Sequence, residues 1–244
     1  MYLSIVIPAL NESKKIARDI KMAAVFLEGN KFEGEIIVVD DGSTDGTGEV
    51  AKSVKVPPGV TLKVIRYQQH RGKGYAVRQG IKQTSGEYVM FADSGYCVPY
   101  GNALLGLEIL KDGTCDIAHG SRKLLESDIR KEQPWCRRIS SRLFKWLINK
   151  LLQIPRGLTD TQCGFKIYKG EVARQLYSQC ISDGFMFDIE IILQAQKQGY
   201  QIKEFPIEWV CDLDSRLSLT HTPWPVICEL RAIKRALSDS KTPQ

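Results

Sequence analysis

Short apolar runs that end in polar residues alternate with amphipathic segments along the first half of the chain. Residues 12–28 and 73–83 carry apolar side chains at helical spacing, and a further helix fits after Ser43 and Thr44, which would cap it. Runs rich in β-branched residues, typical of strands, cover Leu3–Pro8, Glu35–Asp41, Thr61–Tyr67 and Tyr88–Asp93. Strands that alternate with helices in this way predict an α/β protein whose mostly parallel sheet is covered on both faces.

The second half of the chain has a less regular pattern. It predicts strands at 116–121, 165–168 and 202–210 and helices at 136–153, 170–178, 186–198 and after Pro225. No repeat, low-complexity stretch or linker divides the 244 residues. We therefore predict a single domain over residues 1–237 and a frayed tail over 238–244.

Composition restricts the class of protein. Apolar residues make up 43% of the chain and charged residues 25%, which excludes a disordered tail, a collagen-like fibre and a small disulfide scaffold. The longest apolar run, Met22–Leu27, is far shorter than the roughly twenty residues that a membrane-spanning helix needs. The N-terminus lacks a signal-peptide pattern, and seven scattered cysteines without a Cys-x-x-Cys pair indicate reduced thiols and disfavour zinc. We expect a cytoplasmic protein.

The positive charge is concentrated in one segment. The formal net charge is +6, and residues 130–156 hold eight Lys or Arg and one Glu, so the rest of the chain is close to neutral. Residues 137–153 combine a cationic stripe with a broad apolar face. On its own this pattern favours a helix packed on the core with a solvated charged face, and a helix at the surface of an anionic membrane also fits it. Nucleic acid is not expected as a partner, because the other face is too apolar for a groove reader. The expected membrane contacts are Arg138, Arg142, Phe144, Lys145 and Trp146.

Several predicted strands end in residues that can bind ligands. Asp40 and Asp41 open the turn Asp-Asp-Gly-Ser, where a carboxylate could accept hydrogen bonds from a ribose or a base, or where the turn could simply cap the next helix. Asp93 follows the fourth strand. Residues 69–74 form a glycine-flanked basic loop that could approach phosphates at a helix N-terminus, or could be a plain loop.

Taken together, the motifs resemble those of family 2 glycosyltransferases with the GT-A fold, a Rossmann-like mixed, mostly parallel sheet flanked by helices. The first-half matches are Pro-Ala-Leu-Asn-Glu at 8–12, Val-Val-Asp-Asp-Gly-Ser-Thr-Asp-Gly-Thr at 38–47, Arg-Gly-Lys-Gly-x-Ala at 71–76 and Phe-Ala-Asp at 91–93. In the second half, Gly-Ser-Arg at 120–122, Asp-Thr-Gln-Cys-Gly-Phe-Lys at 160–166, Phe-Asp-x-Glu at 187–190 and Glu-Trp at 208–209 are similar to dolichyl-phosphate glucosyltransferases and their mannosyl-transferring relatives.

This resemblance implies an inverting hexosyltransferase, peripheral to the cytosolic face of a membrane, that acts on a polyprenyl (dolichyl or undecaprenyl) phosphate. Glucose is favoured over mannose, and UDP-glucose over GDP-mannose as the nucleotide sugar. By resemblance, Asp93 would bind Mg²⁺ or Mn²⁺, and Asp93, Arg122, Asp160 and Asp188 are the catalytic candidates, although Asp160 and Asp188 could instead have a structural role. The implied donor-binding residues are Pro8, Leu10, Glu12, Val39, Asp41, Lys73, Asp93, Ser94, Arg122 and Arg216.

One position departs from the family pattern. The second acid of the Asp-x-Asp motif is replaced by Gly95, and Cys97 stands where relatives can place a further oxygen ligand. Mg²⁺ could still be held by Asp93, the donor phosphates and water. Two other functions stay open: a family 2 transferase with a different acceptor, and a protein that binds a nucleotide sugar without transferring it.

Overall fold

The computed structural model describes residues 1–131, 157–210 and 223–239. In these ranges the strands are β1 (Leu3–Ala9), β2 (Gly34–Asp40), β3 (Val60–Arg66), β4 (Tyr88–Ala92), β5 (Ile117–Ser121), β6 (Asp128–Lys131), β7 (Phe165–Lys169), β8 (Ile202–Pro206) and β9 (Glu208–Val210). Seven of them form the main sheet in the order β3-β2-β1-β4-β7-β5-β8, and β6 pairs with β9 in parallel. In the main sheet only β7 runs antiparallel to its neighbours. The predicted mixed, mostly parallel sheet is thus confirmed.

The helices cover both faces of this sheet. They are α1 (Ile16–Gly29), α2 (Thr47–Ser53), α3 (Lys73–Lys82), α4 (Ala103–Lys111), α5 (Gly170–Gln179), α6 (Phe187–Lys197) and α7 (Pro223–Asp239). Alternate residues of β1 point into two separate cores: Ile5 and Ile7 pack with α1 and α4, and Val6 packs with α3, α5 and α6. Such two-sided burial explains why the strands are nearly continuous apolar runs.

Several predicted elements are corrected. Helix α4 and strand β6 were not predicted, and the predicted strand 202–210 is split at Ile207 into β8 and β9, which belong to different sheets. Helix α1 begins at Ile16 instead of residue 12. Helix α7 continues through Asp239, so the first residues of the expected tail are helical. The expected helix 136–153 lies outside the described residues.

The start of α2 differs from the prediction for a local reason. The hydroxyl of Ser43 accepts a hydrogen bond from the backbone N–H of Asn11 at 2.7 Å, and the N–H of Thr44 donates to the Asn11 side chain at 2.8 Å. Both residues therefore join the ends of β1 and β2 and do not cap a helix. The helix begins at Thr47 after Gly46, whose φ of +86° favours glycine.

Candidate active site

Asp93 lies directly after β4, at the carboxyl edge of the sheet. Its backbone N–H donates to the carbonyl of Gly164 at 2.9 Å, and its carboxylate Oδ1 lies 2.6 Å from the Nζ of Lys73 at the start of α3. A Cβ at position 164 would lie 2.0 Å from the Asp93 carboxylate, so any larger residue there would have to displace this side chain. The Asp93 side chain is 38% exposed, which leaves it accessible to a ligand.

A row of alternating charges leads from Asp93 into the protein. The carboxylates of Asp93 and Asp188 both act on Lys73, and they raise its pKa although burial alone would lower it. Asp188, at the start of α6, pairs with the ammonium of Lys166, which also donates to the carbonyl of Cys163 at 2.8 Å. Burial raises the pKa of Asp188 although the two lysines oppose this shift. Asp188 is almost fully buried, so it stabilises the charge of Lys73 from inside the protein.

A second ion pair joins Arg122 to Asp160. The Nε and Nη2 of Arg122 donate to the two oxygens of Asp160 at 2.6 and 2.8 Å, and the guanidinium lies over the ring of Trp209. Burial opposes ionisation of Asp160, but the hydrogen bonds and charge of Arg122 hold its pKa at about 2. Glu204 of β8 accepts the backbone N–H groups of Thr159 and Asp160, which fixes the loop that carries the carboxylate. Although burial opposes it, the hydrogen bonds and charge of Asp160 raise the pKa of Arg122, and the charge of Asp93 adds to the rise, so the two ion pairs belong to one site.

The expected nucleoside-binding residues lie together at the ends of β1 and β2. Pro8 and Val39 are paired across the two strands, and Leu10 and Glu12 are half-buried in the loop after β1. Val39 is fully buried and faces α3, so it supports this edge from behind. Asp41 is buried directly after β2.

The carboxylate of Asp41 holds the loop before α3. It accepts the backbone N–H groups of Arg71 at 2.9 Å and Gly72 at 2.8 Å, and it lies 2.8 Å from Nδ1 of His70. Asp41 therefore connects the end of β2 to the loop that carries Lys73.

The N-terminus of α3 is closed to an anion at its backbone. The N–H of Gly74 donates to the carbonyl of Gly184, and the N–H of Tyr75 donates to the carbonyl of Asp183, both at 3.1 Å. With the preceding amides bound to Asp41, this helix start does not offer the open set of N–H groups that usually binds phosphate. A phosphate near α3 would instead meet the side chain of Lys73.

Helix α1 holds the loop at Gly95. The carboxylate of Asp19 accepts the N–H of Gly95 at 2.6 Å, and Arg18 donates to its carbonyl at 2.7 Å. Gly95 has a φ of +99°, a conformation that an aspartate would adopt only with strain. The backbone geometry thus agrees with the glycine that replaces the second acid, while Ser94 is half-buried beside it.

The described residues do not contain a cluster of three or more His, Cys, Asp or Glu that could hold a metal on its own. Asp93 offers one accessible carboxylate. Mg²⁺ and similar cations are often bound by one or two carboxylates together with substrate phosphates and water. The site therefore fits a cation that binds with a diphosphate, and it does not fit a pre-formed metal centre.

Three supporting residues were not singled out from the sequence: Lys166, Glu204 and Asp19. Lys166 lies in a recognised motif, but the sequence does not show that β7 buries it beneath Asp188. Asp19 follows Ile16 and precedes Ile20 on the apolar face of α1, and this spacing could have indicated a buried acid. The pattern of β8 does not reveal Glu204. Arg216 and the expected membrane contacts Arg138, Arg142, Phe144, Lys145 and Trp146 lie outside the described residues.

The family model for glycosyl transferase family 2 matches residues 4–177. The chain belongs to this family. The matched region contains Asp93, Lys73, Arg122 and Asp160, and it ends before Asp188.

Curated relatives share most of the chain. It is 31% identical over 219 residues to a dolichyl-phosphate beta-glucosyltransferase from Dictyostelium discoideum, which covers 86% of this chain and 66% of the relative. The human protein of the same name is 32% identical over 222 residues, 85% of this chain and 67% of the relative. The chain thus spans about two thirds of the length of these relatives.

Solved structures share the fold at low identity. Glucosyl-3-phosphoglycerate synthase from Mycobacterium tuberculosis, in complex with Mn²⁺ and UDP-glucose, has a TM-score of 0.65 and 18% identity, and the match covers 97% of this chain and 77% of that one. TarS 1–349 from S. aureus, in complex with UDP-GlcNAc, has a TM-score of 0.65 and 17% identity, over 100% of this chain and 68% of the other. These likenesses confirm the predicted glycosyltransferase fold. None of the helices in the described ranges has the length and apolar character needed to cross a bilayer.

Proposed function

We propose that this family 2 glycosyltransferase transfers a hexose, glucose in preference to mannose, from a nucleotide sugar to a polyprenyl phosphate with inversion at the anomeric carbon. The similarity to dolichyl-phosphate beta-glucosyltransferases over more than four fifths of the chain supports the substrate class. UDP-glucose is the favoured donor.

Two carboxylates of the site are already paired with cationic side chains, and this favours a phosphate as the acceptor. Asp160 is bound through both oxygens to Arg122, and Asp188 is buried against Lys166. Neither is positioned to take a proton from an acceptor hydroxyl, which a general base would have to do. A phosphate monoester is already ionised near neutral pH, so it can attack without a base, and the site needs only to position it.

Cationic side chains are placed to stabilise the departing diphosphate. Lys73 and Arg122 both lie within electrostatic reach of Asp93. Arg122 uses Nε and Nη2 on Asp160, and its Nη1 has no partner in the described part of the chain, so it can donate to a phosphate. Preorganised donors of this kind lower the barrier when negative charge develops on a leaving group. By resemblance, Arg216 would add a further cation.

We assign Asp93 as the residue that holds a divalent cation, Mg²⁺ or Mn²⁺, together with the donor. When bound, such a cation would neutralise charge on the diphosphate. Pro8, Leu10, Glu12 and Asp41 would form the nucleoside side of the site, with Asp41 acting partly through the loop that it holds, and Val39, which faces α3, would support them from the core. Ser94 lies next to Asp93 and would contact the donor there.

We place the reaction at an anionic membrane surface on the cytosolic side. The loop after Arg122 exposes Leu125 completely. Strand β6 follows this loop, and it ends six residues before the basic segment 137–153 in the sequence. An exposed apolar side chain and a basic segment close in sequence fit an edge that meets lipid.

The alternative of a binding protein without transfer rests on Gly95, since only one carboxylate of the Asp-x-Asp pair remains. Substitution Asp93→Ala separates the two functions. An enzyme loses most of its activity in this variant, whereas a binding protein has none to lose.

The proposed function is tested by incubating the protein with radiolabelled UDP-glucose, Mn²⁺ and dolichyl phosphate in liposomes and measuring label in the lipid extract. Unphosphorylated dolichol is the control acceptor, and GDP-mannose is the control donor. We expect label only with the phosphorylated lipid, and more from UDP-glucose than from GDP-mannose. Equal transfer to dolichol would show that the site activates a hydroxyl and would contradict the argument from the occupied carboxylates.

A further inference from the structure

Residues 180–184, here called the capping loop, lie against the start of α3. The carbonyls of Asp183 and Gly184 in this loop accept the N–H groups of Tyr75 and Gly74. The loop backbone also lies so close to the helix that no side chain fits between them. A Cβ at Gly72 would lie 2.3 Å from the Asp183 carbonyl oxygen, and a Cβ at Gly74 would lie 2.5 Å from that of Ser182. The glycines on both sides of Lys73 are thus fixed by this loop.

Arg78 of α3 binds the capping loop directly, through the carbonyls of Cys180 and Ser182 and the carboxylate of Asp183. Two glutamates from other helices also hold this loop. Glu190 of α6 accepts the N–H groups of Ile181 and Ser182, both at 2.8 Å. Glu229 of α7 accepts the hydroxyl of Ser182 and the N–H of Gly184, the latter at 3.1 Å. Gly184 approaches Glu229 so closely that a Cβ there would lie 2.9 Å from both carboxylate oxygens.

Glu190 could be found from the sequence, because it lies in a motif of the glucosyltransferase branch. Glu229 lies in no such motif, and the family model ends at residue 177. Glu229 is nevertheless connected to Lys73 through Gly184. The N–H of Gly184 donates to Glu229, and the carbonyl of Gly184 accepts the N–H of Gly74, the residue next to Lys73.

We propose that Glu229 is a positioning residue for the donor site. It holds the capping loop against α3 and thereby keeps the ammonium of Lys73 beside Asp93. This proposal rests on the proposed role of Lys73 toward the donor diphosphate. It also implies that α7, which follows the segment containing Arg216, has to be docked for the donor site to be fully formed.

The mechanical part of the proposal is tested without any substrate. Hydrogen exchange of the peptide 70–77 is measured by mass spectrometry in the whole protein and in Glu229→Ala, Glu229→Gln and Lys234→Gln. Lys234 is an exposed residue of the same helix and serves as the matched control. We expect exchange at Gly74 and Tyr75 to become about tenfold faster in Glu229→Ala. It should change little in Glu229→Gln, because the glutamine amide oxygen can still accept both hydrogen bonds, and little in Lys234→Gln.

A general loss of stability would give a different pattern. In that case the exchange of β1 and β2 would accelerate together with that of 70–77. Unchanged exchange at 70–77 in Glu229→Ala, or acceleration of equal size throughout the sheet, overturns the proposal.

The functional part is tested by a double-mutant cycle with Lys73→Met. We expect Glu229→Ala to lower kcat/KM for the nucleotide sugar about tenfold, mainly through KM, and Glu229→Gln to recover most of this loss. In the Lys73→Met background, Glu229→Ala should add no further loss. An equal tenfold loss in both backgrounds would show that Glu229 does not act through Lys73.

The two proposals can fail separately. If no acceptor is glycosylated by the unmodified protein, the proposed function fails, and the cycle is then run on the affinity for UDP-glucose with Mn²⁺ by calorimetry. If transfer occurs but the cycle is additive, only the role of Glu229 fails.

Discussion

The ammonium of Lys73 lies 2.6 Å from the carboxylate of Asp93, so the residue proposed to hold a cation is bound to a cation of the protein itself. A metal ion and the ammonium of Lys73 would compete for the carboxylate of Asp93, whereas a diphosphate can bind the metal ion and Lys73 together. We therefore expect Lys73→Met to bind Mn²⁺ more tightly in the absence of nucleotide, since the competing ammonium is lost. The same variant should bind UDP-glucose with Mn²⁺ about tenfold more weakly, because a charge-assisted contact to phosphate is missing.

Both affinities can be measured by isothermal calorimetry. Lys82→Met, at the exposed end of α3, is the control and should change neither. If Mn²⁺ and UDP-glucose both bind more weakly to Lys73→Met, Lys73 has a structural role and does not compete with the metal.

Gly164 provides the second prediction. A methyl group at this position would lie 2.0 Å from the Asp93 carboxylate, so Gly164→Ala has to displace that side chain. We expect a loss of unfolding free energy of about 1–3 kcal/mol, as for other overpacked sites, and a loss of most transferase activity. Gly101→Ala is the control, because a Cβ there meets nothing within 4 Å. Activity in Gly164→Ala equal to that of the control would show that the position of Asp93 does not matter for transfer.

Asp160 predicts a loss of stability in acid. Its pKa is about 2 in the folded protein against 3.8 ordinarily, so the unfolded chain binds its proton more readily. The stabilisation is therefore complete above pH 4 and is lost as the pH falls from about 4 to 2. It amounts to about 2 kcal/mol.

The measurement is urea unfolding at pH 7 and at pH 3 for the unmodified protein and for Asp160→Asn. The variant should be less stable at pH 7, because asparagine leaves the buried Arg122 without its counter-ion. The difference between the two proteins should shrink toward pH 2. A difference that stays constant with pH would contradict the role of the ionised carboxylate.

The sequence predicted the architecture well where pattern and motif agree. The strand ends that carry Asp41 and Asp93 were placed correctly, because apolar runs of β-branched residues stop at these acids. The positions of Asp93, Lys73, Arg122 and Asp160 in one site also agree with the motifs. These features depend on local pattern and on the meeting of strand ends at one sheet edge, both of which a sequence records.

Other features depend on contacts between residues far apart in the chain. The sequence could not show that Ser43 and Thr44 bind Asn11 instead of capping α2, since that choice is made by the approach of β1 to β2. It also could not show that the N–H groups at the start of α3 are occupied, because the carbonyls that bind them come from residues 183 and 184. The structure therefore leaves the side chain of Lys73, which the resemblance also implies as a donor-binding residue, and not the helix N-terminus, to meet a phosphate.

Asp19 predicts a pH effect of the opposite sign. Burial raises its pKa to about 6 from 3.8, so the folded protein binds this proton more tightly than the unfolded chain does. The stability that this residue contributes is complete below pH 3.8 and is lost as the pH rises to about 6. We expect Asp19→Asn to avoid this loss of up to about 3 kcal/mol while its amide oxygen still accepts the N–H of Gly95.

Thermal unfolding at pH 4 and pH 7 compares the two proteins. The unmodified protein should lose stability from pH 4 to pH 7, and Asp19→Asn should lose less over the same range. The activity of Asp19→Asn should be retained. Asp19→Leu, which cannot accept the hydrogen bond, should lose activity because the loop at Gly95 is released. An Asp19→Asn protein that tracks the unmodified protein at both pH values would contradict the raised pKa.

The basic segment provides the last prediction. A triple variant, Arg138→Gln, Arg142→Gln and Lys145→Gln, removes three cationic side chains from the segment proposed to meet an anionic membrane. Each basic residue near such a surface contributes about 1 kcal/mol, so the triple variant should bind vesicles with one quarter phosphatidylserine at least tenfold more weakly. Flotation of the protein with these vesicles at 0.1 M salt measures the effect, and neutral vesicles should bind neither protein strongly.

The control removes the same charge from another surface. Lys21, Lys52 and Lys82 are exposed residues of α1, α2 and α3, and their joint replacement by glutamine should leave flotation close to that of the unmodified protein. Transfer to a water-soluble short-chain polyprenyl phosphate should be similar in all three proteins, because the variants change the approach to the membrane and not the site. If both triple variants lose flotation equally, net charge and not the segment 137–153 determines binding. If the unmodified protein stays with the soluble fraction, the membrane proposal is wrong.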